Sequence, residues 1–165
     1  MVPETSEYQE HLEIMREIPY FSGLELEAQK LIAYLCVRDK FAAGEEVFAS
    51  GDLDQSAYFI ISGTMEAYLD SGSIKVQSFK DGNFVGALSL IGSSKRLFTL
   101  KATSDCVCIR LTREKFKKAQ EQYPEISTKF LKATVNMISH WEERFLSMYN
   151  PDCSGCTSGI GLTLI

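Results

Sequence analysis

The sequence has no uninterrupted apolar run near the ~20 residues that a membrane-spanning helix needs. It has no excess of basic residues either, since 22 Asp and Glu outnumber 17 Lys and Arg and give a net charge of −5. Because phosphate contacts supply most of the affinity for nucleic acids, we expect no direct binding to DNA or RNA. The only two histidines, His11 and His140, fall in helical segments, and no Ser-His-Asp or paired-carboxylate arrangement stands out. We therefore expect neither a cupin-type metalloenzyme nor another kind of enzyme.

The five cysteines are an odd number, and the acidic N-terminus "MVPETSEYQEHLEIMREIPY" does not have the pattern of a signal peptide. A disulfide framework is therefore not expected, and the cytoplasm is the expected compartment. Cys36, Cys106 and Cys108 are interpreted as reduced structural residues, with the last two on one face of a strand in "DCVCIRL". Cys153 and Cys156 form a C-x-x-C, which can hold half of a zinc site or form a reversible disulfide. The favoured interpretation of this pair is a flexible tail without a metal.

Three sections follow one another along the chain. Apolar residues at helical spacing predict two helices within residues 6–35. Short alternating segments separated by glycines predict strands over about 36–111, in a sandwich, jelly roll or small barrel, with Gly63 as the turn of a hairpin. Thr112 is a candidate N-cap for a short helix, and Pro124 begins a long helix over about 124–149. We expect one domain over 1–149, followed by a flexible Gly/Ser-rich tail over 150–165.

The stretch "GALSLIGSSKRLFTLKA", residues 86–102, contains the parts of a small-anion pocket: a glycine, a short apolar turn, a polar loop and two basic residues. Together with "IPYFSGL" and "GEEVFASGDLDQSAYFIISGTMEAY", it resembles the cyclic nucleotide-binding domain, the sensor fold of catabolite activator proteins, kinase regulatory subunits and cyclic-nucleotide-gated channels. The resemblance covers roughly residues 18–146. It implies an α+β, mainly β fold, in which an eight-stranded β-roll or jelly roll is flanked by N-terminal helices and a long C-terminal helix.

The same resemblance places the stretch at the phosphate-binding cassette of the family. It implies that the backbone amides of Gly86, Ala87 and Leu88 face the cyclic phosphate, where a helical turn begins. Arg96 stands at the position of the arginine that pairs with the phosphate, and its planar fork suits that role. Ser89 is a candidate for a further polar contact with the ligand.

Three positions bear on the rest of the nucleotide. The family has a glutamate that accepts the ribose 2′-hydroxyl, and Ala87 stands in its place. The family prefers a small residue beside the phosphate, where this chain has Leu97. Trp141 falls at the position of the group that closes over the base. Losing a charged acceptor in a pocket costs about 1.5–3 kcal/mol, or about ten- to a hundredfold in affinity, so we expect weakened binding of cAMP or cGMP.

Apolar residues in the long helix follow steps of three and four residues, which predicts a seam for a partner helix. Bacterial members of the family dimerise through this helix, so the resemblance implies a homodimer. The alternative is a single wide core face without a partner. The predicted interface consists of Leu131, Thr134, Ile138, Trp141, Phe145 and Met148.

These observations predict a non-catalytic sensor or regulatory domain that binds a cyclic nucleotide, or a related small anion, weakly in the β-roll pocket and needs no other cofactor. The alternative is a protein-interaction or dimerisation module on the same fold, whose pocket binds no nucleotide. The stretch after Tyr149 is too short for a helix-turn-helix domain and has no basic residue, so a direct role in transcription is not expected. A signal would then pass through dimerisation or to a separate downstream protein.

Overall fold

The architecture of the chain is seen in a computed structural model that describes residues 5–69 and 73–147. Two helices precede the strands, α1 (Thr5–Glu17) and α2 (Leu26–Leu35), and two follow them, α3 (Arg113–Gln122) and α4 (Glu125–Ser147). The strands between them are β1 (Val37–Phe41), β2 (Glu46–Phe48), β3 (Ser56–Ser62), β4 (Thr64–Leu69), β5 (Ile74–Lys80), β6 (Phe84–Val85), β7 (Thr99–Ala102) and β8 (Cys106–Thr112). The predicted α+β, mainly β fold with eight strands is confirmed.

The strands form two antiparallel four-stranded sheets. The first sheet has the order β1-β8-β3-β6, and the second has the order β2-β7-β4-β5. In the first sheet Tyr58 of β3 lies opposite Val85 of β6 on one side and Arg110 of β8 on the other. Among the described strands, only β4 and β5 are neighbours both in a sheet and in sequence. The other pairs join strands that are far apart in sequence, so the pairing closes the strands into a roll and not into a series of hairpins.

The strand β3 is buried on both faces because it lies in the middle of two cores. Ala57 and Phe59 face the helices, in a cluster that includes Phe21, Phe116 and Phe130. Their neighbours along the strand, Tyr58 and Ile60, point instead into a second cluster between the sheets. Successive side chains of a strand point to opposite faces of the sheet. The helices therefore pack on one face of the first sheet, and the second cluster lies on its other face.

The hairpin predicted at Gly63 is wrong. β3 ends at Ser62 and pairs in the first sheet, whereas β4 begins at Thr64 and pairs in the second. Gly63 has φ +95°, and a Cβ there would lie 2.4 Å from the carbonyl oxygen of Asp105 and 2.6 Å from Sγ of Cys106. The glycine therefore allows a close crossing between the two sheets.

Three predictions about local structure are confirmed. Cys106 and Cys108 lie together in the cluster between the sheets, and Cys36 lies in the cluster beneath the helices. Burial is the main reason that the pKa of the Cys36 thiol and that of the Cys108 thiol are each raised to about 12. Both thiols are therefore protonated.

Thr112 caps α3, since its side chain accepts a hydrogen bond from the Lys115 amide. His140 lies exposed on α4, as expected for a solvated face.

The helix α4 is anchored to the domain along its first half. Ile126, Phe130 and Thr134 are its buried residues, and the Phe130 ring stacks on Tyr20 at 4.6 Å between centroids. The Lys129 ammonium also donates to the carbonyl of Gly23. Among the described residues, no helix combines the length and apolar character that a bilayer crossing requires. Cys153, Cys156 and the predicted tail lie outside the described residues.

Candidate functional site

The candidate site lies where the chain leaves β6 at the edge of the first sheet. Gly86 follows this short strand and begins a 3-10 turn over Ala87–Leu90. Ala87 and Leu90 are buried in the cluster beneath the helices, while Leu88 is 51% exposed. The turn is therefore anchored by its apolar side chains, and its opening amides need partners from outside the turn.

Gly86 is required by both its conformation and its neighbours. Its φ is +84°, in the left-handed region that favours glycine. A Cβ at this position would lie 2.6 Å from Nη1 of Arg96 and 2.9 Å from the carbonyl oxygen of Ser56. The absence of a side chain therefore lets the guanidinium approach the backbone at the start of the turn.

The guanidinium of Arg96 is buried and has several partners inside the protein. Nη1 donates to Oγ of Ser89 at 2.8 Å, and Nη2 donates to Oδ2 of Asp54 at 2.7 Å and to the carbonyl of Ser56. Its Cζ atom lies 4.0 Å from the centroid of the Phe48 ring, a cation–π geometry. Arg96 is only 7% exposed, and its Nε has no hydrogen-bond partner among the described residues.

The loop between β2 and β3 fixes this arrangement. The backbone amide of Arg96 donates to the carbonyl of Asp52, and the amide of Gly51 donates to the carbonyl of Arg96, both at 2.8 Å. Asp54 also accepts from the Tyr58 hydroxyl at 3.2 Å. Burial, and next the nearby Asp54 charge, raise the pKa of Tyr58, which therefore remains a protonated donor. Asp54 thus links the arginine to the core between the sheets.

A pocket of about 300 Å³ opens beside the turn. Its polar lining comes from Ser89, Ser94, Lys95 and Arg96. Gly86 and Ala87 also line it. Its larger apolar lining comes from Tyr20, Phe84, Leu88, Leu97, Phe98 and Met137. Lys95 is exposed and forms no ion pair within residues 5–69 and 73–147.

The structure brings most of the predicted ligand-binding residues to this one pocket. Gly86, Ala87, Leu88, Ser89, Arg96 and Leu97 all line it. Trp141 does not belong to the described lining. Its ring stacks on Phe145 at 5.5 Å between centroids, and α4 contributes Met137 to the pocket instead. Trp141 lies four residues after Met137, about 6 Å further along the axis of α4.

Several residues of the site were not predicted. Tyr20 donates from its hydroxyl to the sulfur of Met137, at 3.0 Å, and both line the pocket. Asp54 and Phe48 lie more than 40 residues from Arg96 in sequence, and only the folded loop brings them to it. Nothing in the local sequence around Asp54 indicates which cation its carboxylate contacts.

The exposed apolar row on α4 differs in part from the predicted seam. Leu131, Ile138 and Trp141 are exposed, as a seam for a partner requires. Thr134 is buried, and its hydroxyl donates to the carbonyl of Phe130 at 2.9 Å. It therefore belongs to the face that packs on the domain, which corrects its place in the predicted interface. Val135 and Leu146 extend the exposed row, Phe145 is half-buried, and Met148 lies outside the described residues.

Comparison with known proteins identifies the family of this fold. Residues 38–123, just over half of the chain, match the family profile of the cyclic nucleotide-binding domain. The chain belongs to the cyclic nucleotide-binding domain family. The match includes the Gly86 turn, Arg96 and the loop that contains Asp54. The family assignment implied by the sequence is therefore confirmed.

Relatives of this cyclic nucleotide-binding domain occur in larger proteins. The cAMP-dependent protein kinase regulatory subunit of Emericella nidulans is 31% identical over 63% of this chain and 25% of its own length. The chain spans about a quarter of the length of the curated relatives it matches. Several of these relatives are regulatory subunits.

Two solved structures have the same fold at low sequence identity. The N-terminal domain of a transcriptional regulator from Streptomyces coelicolor superposes with a TM-score of 0.70, at 19% identity, and the match covers 86% of this chain and 99% of that one. The regulatory domain of Toxoplasma gondii PKA, crystallised with cAMP, superposes with a TM-score of 0.63 at 19% identity, over 76% of this chain and 51% of that one. These matches support the fold of the cyclic nucleotide-binding domain.

No group of three or more His, Cys, Asp and Glu side chains that could hold a metal occurs within residues 5–69 and 73–147. The candidate C-x-x-C of Cys153 and Cys156 stays a prediction, since both residues lie outside those ranges.

Proposed function

We propose that this chain is a non-catalytic regulatory domain that binds a small anion, either a cyclic nucleotide or a related compound, at the Arg96 pocket. The observation that supports this most strongly is the state of Arg96. Arg96 is only 7% exposed although it lines a pocket, and its Nε–H has no acceptor among the described residues. A buried donor without an acceptor costs about 1–3 kcal/mol, so the protein's own groups leave the arginine incompletely satisfied. An anionic ligand would meet this arginine at the pocket that it lines.

The proposed ligand is bound weakly when it is cAMP or cGMP. Ala87 lines the pocket and offers no side-chain acceptor to the 2′-hydroxyl of a ribose. Arg96, Lys95 and the two serines still provide donors to a phosphate. Binding is therefore proposed to depend mainly on recognition of the anionic group.

A second function is a ligand-free interaction module. Asp54 already neutralises Arg96 through a hydrogen-bonded ion pair, and α4 presents Leu131, Val135 and Ile138 to solvent. An arginine whose charge is already neutralised by the protein needs no anionic ligand to balance it. In this case the exposed surface of α4 alone would carry the function.

The proposed partners are a second copy of this chain and a separate downstream protein. The curated relatives are named as regulatory subunits of a kinase, which supports an output through another polypeptide. Neither nucleic acid nor a membrane is a proposed partner, and the cytoplasm is the proposed compartment.

Thermal denaturation with and without cAMP and cGMP tests the sensor function. We expect the melting temperature of the native sequence to rise with millimolar ligand, because a ligand that binds only the folded state stabilises it. Arg96→Lys keeps a cation for Asp54 but loses the fork, so we expect the ligand-induced rise to disappear. Arg16→Ala, at an exposed position of α1, is the matched control and should keep the full rise. A native protein without any rise at millimolar ligand would favour the interaction module.

A further inference from the structure

The polar groups of the pocket are almost all hydrogen-bond donors. Lys95 and Arg96 can only donate, and the Ser89 hydroxyl already accepts from Arg96. No carboxylate or carboxamide side chain belongs to the described lining. A polyhydroxylated ligand such as a sugar would therefore bring several hydroxyl donors into a pocket with few side-chain acceptors, and hydroxyls left unpaired weaken binding.

The charge in the pocket matches a ligand with a single negative charge. Arg96 and Asp54 form an ion pair at 2.7 Å, so their charges largely cancel. Lys95 is exposed, lines the same pocket, and forms no ion pair within residues 5–69 and 73–147. The net charge near the pocket is therefore close to that of one cation, which one anionic group would balance.

The apolar lining leads from these donors to solvent. Leu97 is 81% exposed, and Leu88 and Met137 are about half exposed, although all three are large apolar side chains. The Tyr20 and Phe84 rings lie 5.8 Å apart between centroids and form part of the wall. Covering this surface with an apolar ligand body would be favourable, whereas a hydrated body would gain little from it.

From these three features we infer that the pocket takes an amphipathic monoanion, with one anionic head at Lys95 and Arg96 and an unhydroxylated apolar body against Leu88, Leu97 and Met137. This inference rests on the proposed function, since it uses the same Arg96 pocket, and it adds the class of ligand. The pocket volume of about 300 Å³ is at the lower end for small-molecule sites and suits a compact body, such as one ring or a short chain. A cyclic nucleotide then binds at the same anion site with lower affinity than such a ligand.

Isothermal titration with matched carboxylates tests the inference. The probes are 3-phenylpropanoate, which has an apolar body, D-ribonate, which has a hydroxylated body, and acetate, which has the head alone. We expect 3-phenylpropanoate to bind at least about tenfold more tightly than the other two. Leu97→Ser should remove most of this preference, and Arg96→Lys should weaken the binding. Leu53→Ser, at an exposed position outside the lining, is the matched control and should keep both.

The outcomes separate the inference from the proposed function. If D-ribonate binds as tightly as 3-phenylpropanoate, or if cAMP binds through Arg96 while 3-phenylpropanoate does not, the inferred ligand class is overturned and the proposed function stands. If Arg96→Lys and Leu97→Ser leave the binding of 3-phenylpropanoate unchanged, the compound binds at another site, and the inference is overturned. If none of the carboxylates and no cyclic nucleotide binds, both the inference and the proposed sensor function fail.

Discussion

At the scale of single residues, Gly86 and Arg96 depend on each other. The glycine has a positive φ and leaves room for the guanidinium, which would meet a Cβ at 2.6 Å. The arginine is in turn held by Asp54, Ser56 and Ser89. The side chain is thus placed before any ligand arrives, and this preorganisation reduces the entropy that binding would otherwise lose.

The substitution Ala87→Glu should allow the pocket to bind the ribose of a cyclic nucleotide. A carboxylate at this lining position would accept the 2′-hydroxyl, and a charge-assisted hydrogen bond contributes about 1.5–3 kcal/mol. We expect the affinity for cAMP, measured by isothermal titration, to rise about ten- to a hundredfold. Ala87→Gln is the matched control of similar size, with a weaker, uncharged acceptor and a smaller gain. An unchanged cAMP affinity in both variants would mean that position 87 does not face the sugar.

The individual residues of the site were predictable to different degrees. Gly86 and Arg96 could be identified because their spacing resembles that of a known cassette, and a local pattern is sufficient for that. Asp54 could not be identified, because its contact with Arg96 depends on how a loop between two strands folds against a distant segment. Met137 could not be identified for a related reason, since the position of α4 over the pocket depends on the packing of its Phe130 and Met137 against Tyr20.

At the scale of elements, α4 has one face that packs on the domain and another that is exposed to solvent. Phe130 and Thr134 face the domain, whereas Leu131, Val135 and Ile138 face solvent. Steps of three and four residues do not distinguish these two stripes when both are apolar, which is why Thr134 was assigned to the wrong one. The sheet order shows a similar ambiguity: Gly63 marked a turn correctly, but a glycine does not reveal whether the chain stays in one sheet.

The exposed face of α4 is the element for which dimerisation is predicted. We expect sedimentation equilibrium at micromolar concentration to give the mass of two chains. The double substitution Leu131→Glu and Ile138→Glu places charges in the interface. A loss of about 2 kcal/mol at each of the two positions should weaken the dimer about a thousandfold.

Asn136→Glu is the control for the dimer, since it adds a glutamate at an exposed polar position of α4. It should sediment as the native sequence does. A native chain that sediments as a single copy at micromolar concentration would contradict the dimer and favour one chain whose apolar row has another partner.

At the scale of the whole molecule, the helices and the roll meet at the pocket. Tyr20 precedes α2, Met137 belongs to α4, and Arg96 belongs to the segment before β7, yet all three line the same cavity. A ligand there would contact the roll and the helix whose outer face is exposed. The eight-stranded roll was predictable from its regular turns and its resemblance to a family. The sequence could not predict that segments from both ends of the chain line one pocket, because this depends on long-range packing.

The most direct test of anion binding at Arg96 is an NMR titration of the ¹⁵N-labelled chain with cAMP. We expect saturable shifts that are largest at the backbone amides of residues 86–89 and 96–98, and we expect them to disappear in Arg96→Lys. The shifts should be absent from β5, which lies at the far edge of the second sheet. Amides that do not move at millimolar cAMP, or shifts confined to residues away from this pocket, would contradict the proposed binding site.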